Sequence, residues 1–447
     1  MAVQATTVAG AGARGTGRVR LPAYVWCFVG SLVLSVFSGR TSELGLPIGP
    51  DRVLFGLGGL LLLLDPVAWH AHGRLRWRAV HTAMLAMLAL AGWSALGAGT
   101  LTTPLGAFAL LDRLLVPFLL FCLAPVVFAT TAARDLLLKA LTLLGLYLGL
   151  TAVFESLGPQ SLVWPRYVLD ESVGINFGRA RGPFVASEAM GMALAECGFA
   201  AALAAVRFRT WWRVLSVVVV GLTAVGVLLA LTRSVWVGTA VGVVLACLAS
   251  RRLRRWLPAV LGAAAVALLL LLAVVPGLQD TVGERAGTTR SVDDRANTNA
   301  AALRVVDAHP LTGVGWLRFL DVGEDYVRQA DDYPVTNVNI EVHNVVLGRA
   351  AELGLPGAAL WVLCAALGPV AAALRRVREG TEAAQWRLVA IAATAMWLFP
   401  VMLSPNPYPL PNFLVWLFAG IALRPRLVDP GPAAVDLRTG AGTRSAS

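Results

Sequence analysis

The stretch "EVHNVVLGRAAELGLPG", residues 341–357, sets His343 and Asn344 at the seam between a charged segment and a long apolar run. Arg349 and Glu352 follow where hydrocarbon is expected to begin. A neutral imidazole accepts a proton near physiological pH, because its ordinary pKa lies near ~6.5. Alone, His343 reads as an interfacial or buried, hydrogen-bonded histidine. Ionisable groups in a bilayer are costly and persist only with a buried partner or a task. Arg349 and Glu352, spaced i and i+3, can partner each other inside the protein, so a structural role is expected for both. Gly354 and Gly357 flank Pro356, a combination that breaks or kinks a helix. Such a break is tolerated beside a cavity but not against lipid.

Further ionisable residues sit in apolar surroundings. "LALTRSVWVG" turns between two helices in very few residues and leaves Arg233 at the surface. It is either an arginine snorkelling at a membrane interface or a working group. Glu188 and Glu196 lie two turns apart on roughly one helix face. Such carboxylates pair with arginine or line a polar cavity, and pairing is the expectation for Glu196. "SPNPYPLPN" (404–412) reads as a rigid structural turn.

The elements that position these groups are membrane helices. With 57% hydrophobic and 14% charged residues and a mean hydropathy of +0.71, the chain has too little polar material to coat soluble globules. A helix needs about 20 apolar residues to cross a hydrocarbon core of ~30 Å, and unpaired backbone groups cannot face lipid. Twelve runs meet that need: 21–39, 47–64, 79–99, 108–129, 136–157, 184–206, 212–231, 234–250, 256–275, 344–374, 386–403 and 408–423. The expected fold is an all-α polytopic membrane protein with about 12 transmembrane helices and a long, partly helical extracytoplasmic loop between helices 9 and 10. The expected organisation is a disordered cytoplasmic tail (1–20), helices 1–9 (21–275), the loop (276–343), helices 10–12 (344–424) and a second disordered cytoplasmic tail (425–447).

The net charge of +11 raises the question of nucleic acid, and its distribution answers it. Twelve spans put both termini on one side, and 23 of the 37 Lys and Arg residues then fall on that side. The positive-inside rule makes it the cytoplasm. The excess is an orientation signal with some attraction to anionic lipid headgroups, and no nucleic-acid partner is expected. All five cysteines lie in the apolar runs, so no disulfide framework is expected. The first apolar run is long and reads as an uncleaved helix rather than a signal peptide.

Two loop segments exceed simple connectors. One, 158–183, contains "WPRYVLDESVGINFGRARGPF". The other, 276–343, carries eleven acidic residues and six arginines. In it, Asp293 or Asp294 can cap a helix ending at "VVDAHP", where Pro310 stops it. "HPLTGVGW" then supplies the proline and the two glycines, Gly313 and Gly315, of a tight turn. An ordered cap over the membrane helices is the expectation.

These stretches, in order, resemble the O-antigen ligase and polymerase superfamily of polytopic glycan-assembly proteins. "TRSVWVG" resembles the arginine-bearing turn between two middle helices. "DRANTNAAALRVVDAHPLTGVGW" resembles the loop arginine, helix and Pro-x-x-Gly-x-Gly pattern. "HNVVLGRAAELGLPG" resembles His-Asn, nine residues, then Gly-x-x-Gly. "RARGPF" resembles an Arg-x-x-Gly-x-Phe segment more loosely. One departure is Asn299, four residues after the loop arginine, where tryptophan is common in such proteins.

The resemblance implies a glycosyltransferase in surface or exopolysaccharide biosynthesis at the outer face of the plasma membrane. Its donor would be a polyprenyl-diphosphate-linked glycan and its acceptor a glycan or glycolipid. It further implies Arg295 and Arg233 as the motif arginines with His343 as base, and Arg181 as a weaker third arginine. Guanidinium forks match the oxygens of a departing diphosphate, and histidine can take the proton of the incoming hydroxyl. Asn344 could orient the imidazole, contact sugar or cap its helix. Pro310, Gly313, Gly315, Gly354 and Gly357 form the structural motif.

No cofactor and no metal are expected. The histidines His70, His72, His81 and His309 are scattered without ligand spacing, and Asp331 and Asp332 read as a solvated face. The runner-up reading is a multi-pass transporter or flippase of lipid-linked saccharides. Transporters place their polar sites near the bilayer midplane, often in paired halves, whereas the polar groups here gather toward one face and no repeat is evident.

Overall fold

The computed structural model describes residues 20–46, 48–71, 77–274, 290–327, 341–405 and 407–423. The two terminal tails and much of the long loop, Asp331 and Asp332 included, lie outside the described residues. So does His72, and nothing is described of the His70 side chain.

The described chain is helical, and each of the twelve apolar runs contains a helix. In chain order these are α1 (Ala23–Leu34), α2 (Pro50–Leu63), α3 (Ala79–Gly97), α4 (Pro104–Val127), α5 (Thr131–Leu157), α6 (Ser187–Arg207), α7 (Thr210–Leu229), α8 (Arg233–Leu248) and α9 (Leu257–Val274). The loop contributes α10 (Arg290–Ala308) and α11 (Phe319–Tyr326). The chain then continues as α12 (Val345–Leu374), α13 (Glu382–Val401) and α14 (Pro409–Leu423). Seven of these, α3 to α7, α12 and α13, are long and apolar enough to cross a membrane. Helices such as α1, α8 and α14 are apolar but shorter.

Helix starts follow local chemistry. Thr103, Thr130 and Thr381 accept hydrogen bonds from backbone N–H groups of the first turns of α4, α5 and α13. α10 differs from expectation at its start. It begins at Arg290, so Asp293 and Asp294 fall within the helix, and it ends at Ala308 just before Pro310.

Packing relies on small residues, as expected where lipid is as apolar as leucine and backbone approach must supply the attraction. Two equally extensive interfaces join α8 to α13 and α6 to α7; the first shows the rule. There a Cβ added at Gly238 would sit 2.7 Å from the Met396 carbonyl, and one at Gly242 would sit 2.5 Å from that of Ala392. α6 packs on α5 and α7, and α14 on α4 and α13. Glu196 departs from expectation. It is fully buried, and neither carboxylate oxygen has a hydrogen-bond partner among the described residues. The nearest arginine along α6, Arg207, lies roughly 16 Å away by helical rise and is committed to Asp135 and Glu382.

Candidate functional site

The loop motif and the broken helix fit into one another. Gly354 has φ 72° and ψ 178°, which interrupts α12, and Pro356 lacks the N–H that would reach back to Glu352. The break releases the carbonyls of Ala351 and Glu352 from the helical ladder. Val314 N–H donates to the first at 2.9 Å and Gly315 N–H to the second at 2.9 Å. The Leu355 N–H, also released, donates to the Pro310 carbonyl at 2.8 Å. Residues 310–315 thus replace the hydrogen bonds that the kink removes, which satisfies backbone groups that could not face lipid. Side chains are excluded from this contact. A Cβ on Gly313 would stand 2.3 Å from the Glu352 carbonyl carbon, and one on Gly354 would stand 2.4 Å from that of Leu311.

Trp316 completes the dock. It is fully buried, its backbone N–H donates to Ser94 Oγ at 3.0 Å, and its carbonyl accepts from Thr100 Oγ1 at 3.1 Å. The Arg349 guanidinium lies 4.4 Å from the Trp316 ring centre and donates to Glu352 at 2.7 Å. The expected i, i+3 pair is therefore present, buried and roofed by the loop.

The residues expected to do chemistry meet at this same end of the bundle. Asn344 caps α12 by accepting from the Leu347 N–H at 3.0 Å, and its amide donates to the Met402 carbonyl at 3.3 Å. That contact holds His343 beside the turn after α13. Two residues further, Ser404 is hydrogen-bonded to Glu188 of α6, and Glu188 faces Arg295 of α10 electrostatically. Its neighbour Ser187 shares a hydrogen bond of 3.1 Å with Thr232, the residue before Arg233. Among the described residues, neither Arg233 nor Arg295 forms an ion pair or side-chain hydrogen bond within ordinary reach. Arg233 is exposed and Arg295 half-buried.

Arg181 behaves differently. It is fully buried, its guanidinium donates to the carbonyls of Val173 at 2.7 Å, Val168 at 3.0 Å and Asp170, and it lies over the Phe177 ring. Glu155 accepts from its backbone N–H at 3.1 Å. Arg181 ties the 158–183 segment together, and that segment reaches the end of α7 through the Ala180 N–H on the Leu229 carbonyl at 3.1 Å.

Sequence reasoning passed over a second ion pair here. Arg113 of α4 grips both oxygens of Glu341, at 2.7 and 2.8 Å, two residues before His343. Burial pushes the Glu341 carboxyl up, but the charge and hydrogen bonds of Arg113, with Arg349 and His343 beyond, hold it below the usual carboxylate range. The signal available was Asp112–Arg113, two charges inside an apolar run.

Such an assembly of helices defines a multi-pass membrane protein with a polar cluster at one end. Residues 218–362 match the family model described as O-antigen ligase, a stretch that runs from α7 into α12 and contains Arg233, Arg295 and His343. The match supports an O-antigen ligase-like superfamily for this chain and points to ligase- or polymerase-like activity in polysaccharide biosynthesis. No curated protein matches the chain.

Proposed function

We propose that the protein is a metal-independent glycosyltransferase. It would transfer or polymerise glycan from a polyprenyl-diphosphate-linked donor onto a glycan or glycolipid acceptor at the outer face of the plasma membrane. In this reading both termini are cytoplasmic and about twelve helices cross the bilayer. Arg295 and Arg233 grip the diphosphate as negative charge develops on it. His343 takes the proton from the acceptor hydroxyl, and the lipid diphosphate leaves. Preorganised donors in a poorly hydrated site are worth on the order of 3–4 kcal/mol each.

The observation that carries the reading is the contrast among the arginines. Arg113, Arg181 and Arg349 have their guanidinium groups engaged by protein carboxylates or carbonyls. Arg233 and Arg295 are not so engaged among the described residues; Arg295 faces Glu188, which bonds Ser404, while the residues next to Arg233 and His343 bond Ser187 and Met402 at the same end of the bundle. Asn344 serves as helix cap and anchor and Arg181 as the tie of its loop, and any contact of theirs with substrate would come on top of those roles.

The test is profiling of glycans and lipid-linked intermediates in a deletion strain. Loss of long chains with accumulated single repeat units identifies a polymerase, and intact free polymer left unattached identifies a ligase. Unchanged profiles in the deletion strain refute both.

A further inference from the structure

His343 lies between two anchors made by the residues on either side of it. On one side Asn344 is fixed by its cap and by the Met402 carbonyl. On the other, Glu341 is held by Arg113 with both carboxylate oxygens engaged. A bidentate fork fixes orientation as well as distance, so residue 341 has little freedom to rotate or slide along the helix end. Arg113 is itself held from behind. It lies in a π-turn, Leu111–Leu115, which re-aims side chains relative to a regular helix. The preceding Asp112 accepts from Arg52 of α2 at 2.7 Å. The chain therefore runs from α2 through the π-turn to the segment carrying His343.

The pair also sits where two clefts meet. One, a small cleft, is lined by Glu341, Val345, Arg349 and Pro405. The other, equally small, is lined by Arg113, Val345, Arg349 and Pro405. Other charged or titratable groups face this junction: Arg349 and Glu352 from α12, Tyr408 from the proline-rich turn, and Glu188 from α6.

We propose that Arg113 and Glu341 are positioning residues for His343, setting the depth and orientation at which its imidazole meets the acceptor hydroxyl. The proposal rests on the glycosyltransferase reading above. A base displaced by about 1 Å can cost up to ~100-fold in rate, whereas the arginines assigned to the diphosphate lie on other helices, α8 and α10, that the Arg113–Glu341 pair does not belong to.

The experiment uses the full-length protein in proteoliposomes, with lipid-linked saccharide extracted from a strain lacking it as donor. Glu341→Gln, Glu341→Asp and Arg113→Lys are compared with the parent and with His343→Ala. In all three variants kcat is expected to fall roughly 10–100-fold while the donor KM stays within about twofold. Removing the Glu341 charge also destabilises the imidazolium, so Glu341→Gln is expected to move the acid limb of the kcat profile to lower pH, and Glu341→Asp to leave it in place. A purely structural pair would not produce that split.

Three outcomes overturn the proposal. They are a raised donor KM with kcat retained, parental kinetics in the Glu341 variants, or loss of folded protein in all three variants. If His343→Ala is inactive while the Glu341 variants are unaffected, only this inference fails. If His343→Ala is itself active, the glycosyltransferase site assignment fails with it.

Discussion

The two ends of the helix bundle both gather charge, and they use it in opposite ways. At the end opposite the loops, Arg134 is almost fully buried and every part of its guanidinium is taken. It donates to Glu382 at 2.6 and 2.9 Å, to the carbonyls of Phe128 and Ala129 at 2.9 and 2.7 Å, and to Thr131 at 3.1 Å. Arg207 joins Glu382 and Asp135 in the same cluster. This network pins the ends of α5, α6 and α13 together.

At the loop end the committed pairs, Arg113–Glu341 and Arg349–Glu352, frame two arginines without ion-pair partners among the described residues. A cation with its donors satisfied stabilises the fold, and one whose fork is not filled by protein oxygens keeps those donors for other partners. The arginines cannot be ranked by burial or count. What separates them is whether protein oxygens already occupy their forks.

Substitutions can break or sharpen that contrast. The largest effect on stability is expected at Arg134→Ala, which strips Glu382 of its main partner and should cost about 3–5 kcal/mol in thermal unfolding in detergent. Arg295→Ala should do the reverse, leaving unfolding within about 0.5 kcal/mol while transfer activity falls on the order of 10²–10³-fold. If Arg295→Ala unfolds the protein or keeps its activity, the contrast is wrong.

Gly354→Ala belongs with the structural set. Its backbone lies in a region open essentially to glycine, and the new methyl would strike the Leu311 carbonyl. A loss of about 1–3 kcal/mol is expected, with release of the loop detectable as faster proteolysis within 310–316.

A smaller effect is expected from pH. Glu341 titrates below its ordinary value, so its stabilising contribution is complete above the unfolded carboxylate pKa and is lost as pH falls through the depressed folded value. Below about pH 4.3, the usual glutamate value, the parent should lose stability more steeply than Glu341→Gln, as measured by unfolding temperature against pH. The smallest change is expected at Asp321→Ala. Its bridge to Arg318 at 2.9 Å is largely exposed, so a shift of less than about 0.5 kcal/mol is expected.

Much of the fold was legible because the bilayer makes demands that act locally. Apolar run length predicts a helix in each of the twelve runs, since an unpaired backbone in lipid has no other solution. Arg349 and Glu352 could be paired from spacing alone, because positions three apart share a helix face. The break at Gly354–Pro356 was equally readable from residue type. Glu196 shows the limit. Residue type called for a partner, and the level of α6 where it lies offers none among the described residues.

The sequence by itself determined where the chain is helical, where it breaks, and which residues of the seam at 341–357 could do chemistry, because hydrophobic run length and helical period are properties of neighbours in the chain. Only the tertiary structure decided which charges are already engaged. Arg113 finds Glu341 across 228 positions and Arg134 finds Glu382 across 248. Ion pairing acts over a few ångströms, and a sequence records that distance only for residues a turn or so apart.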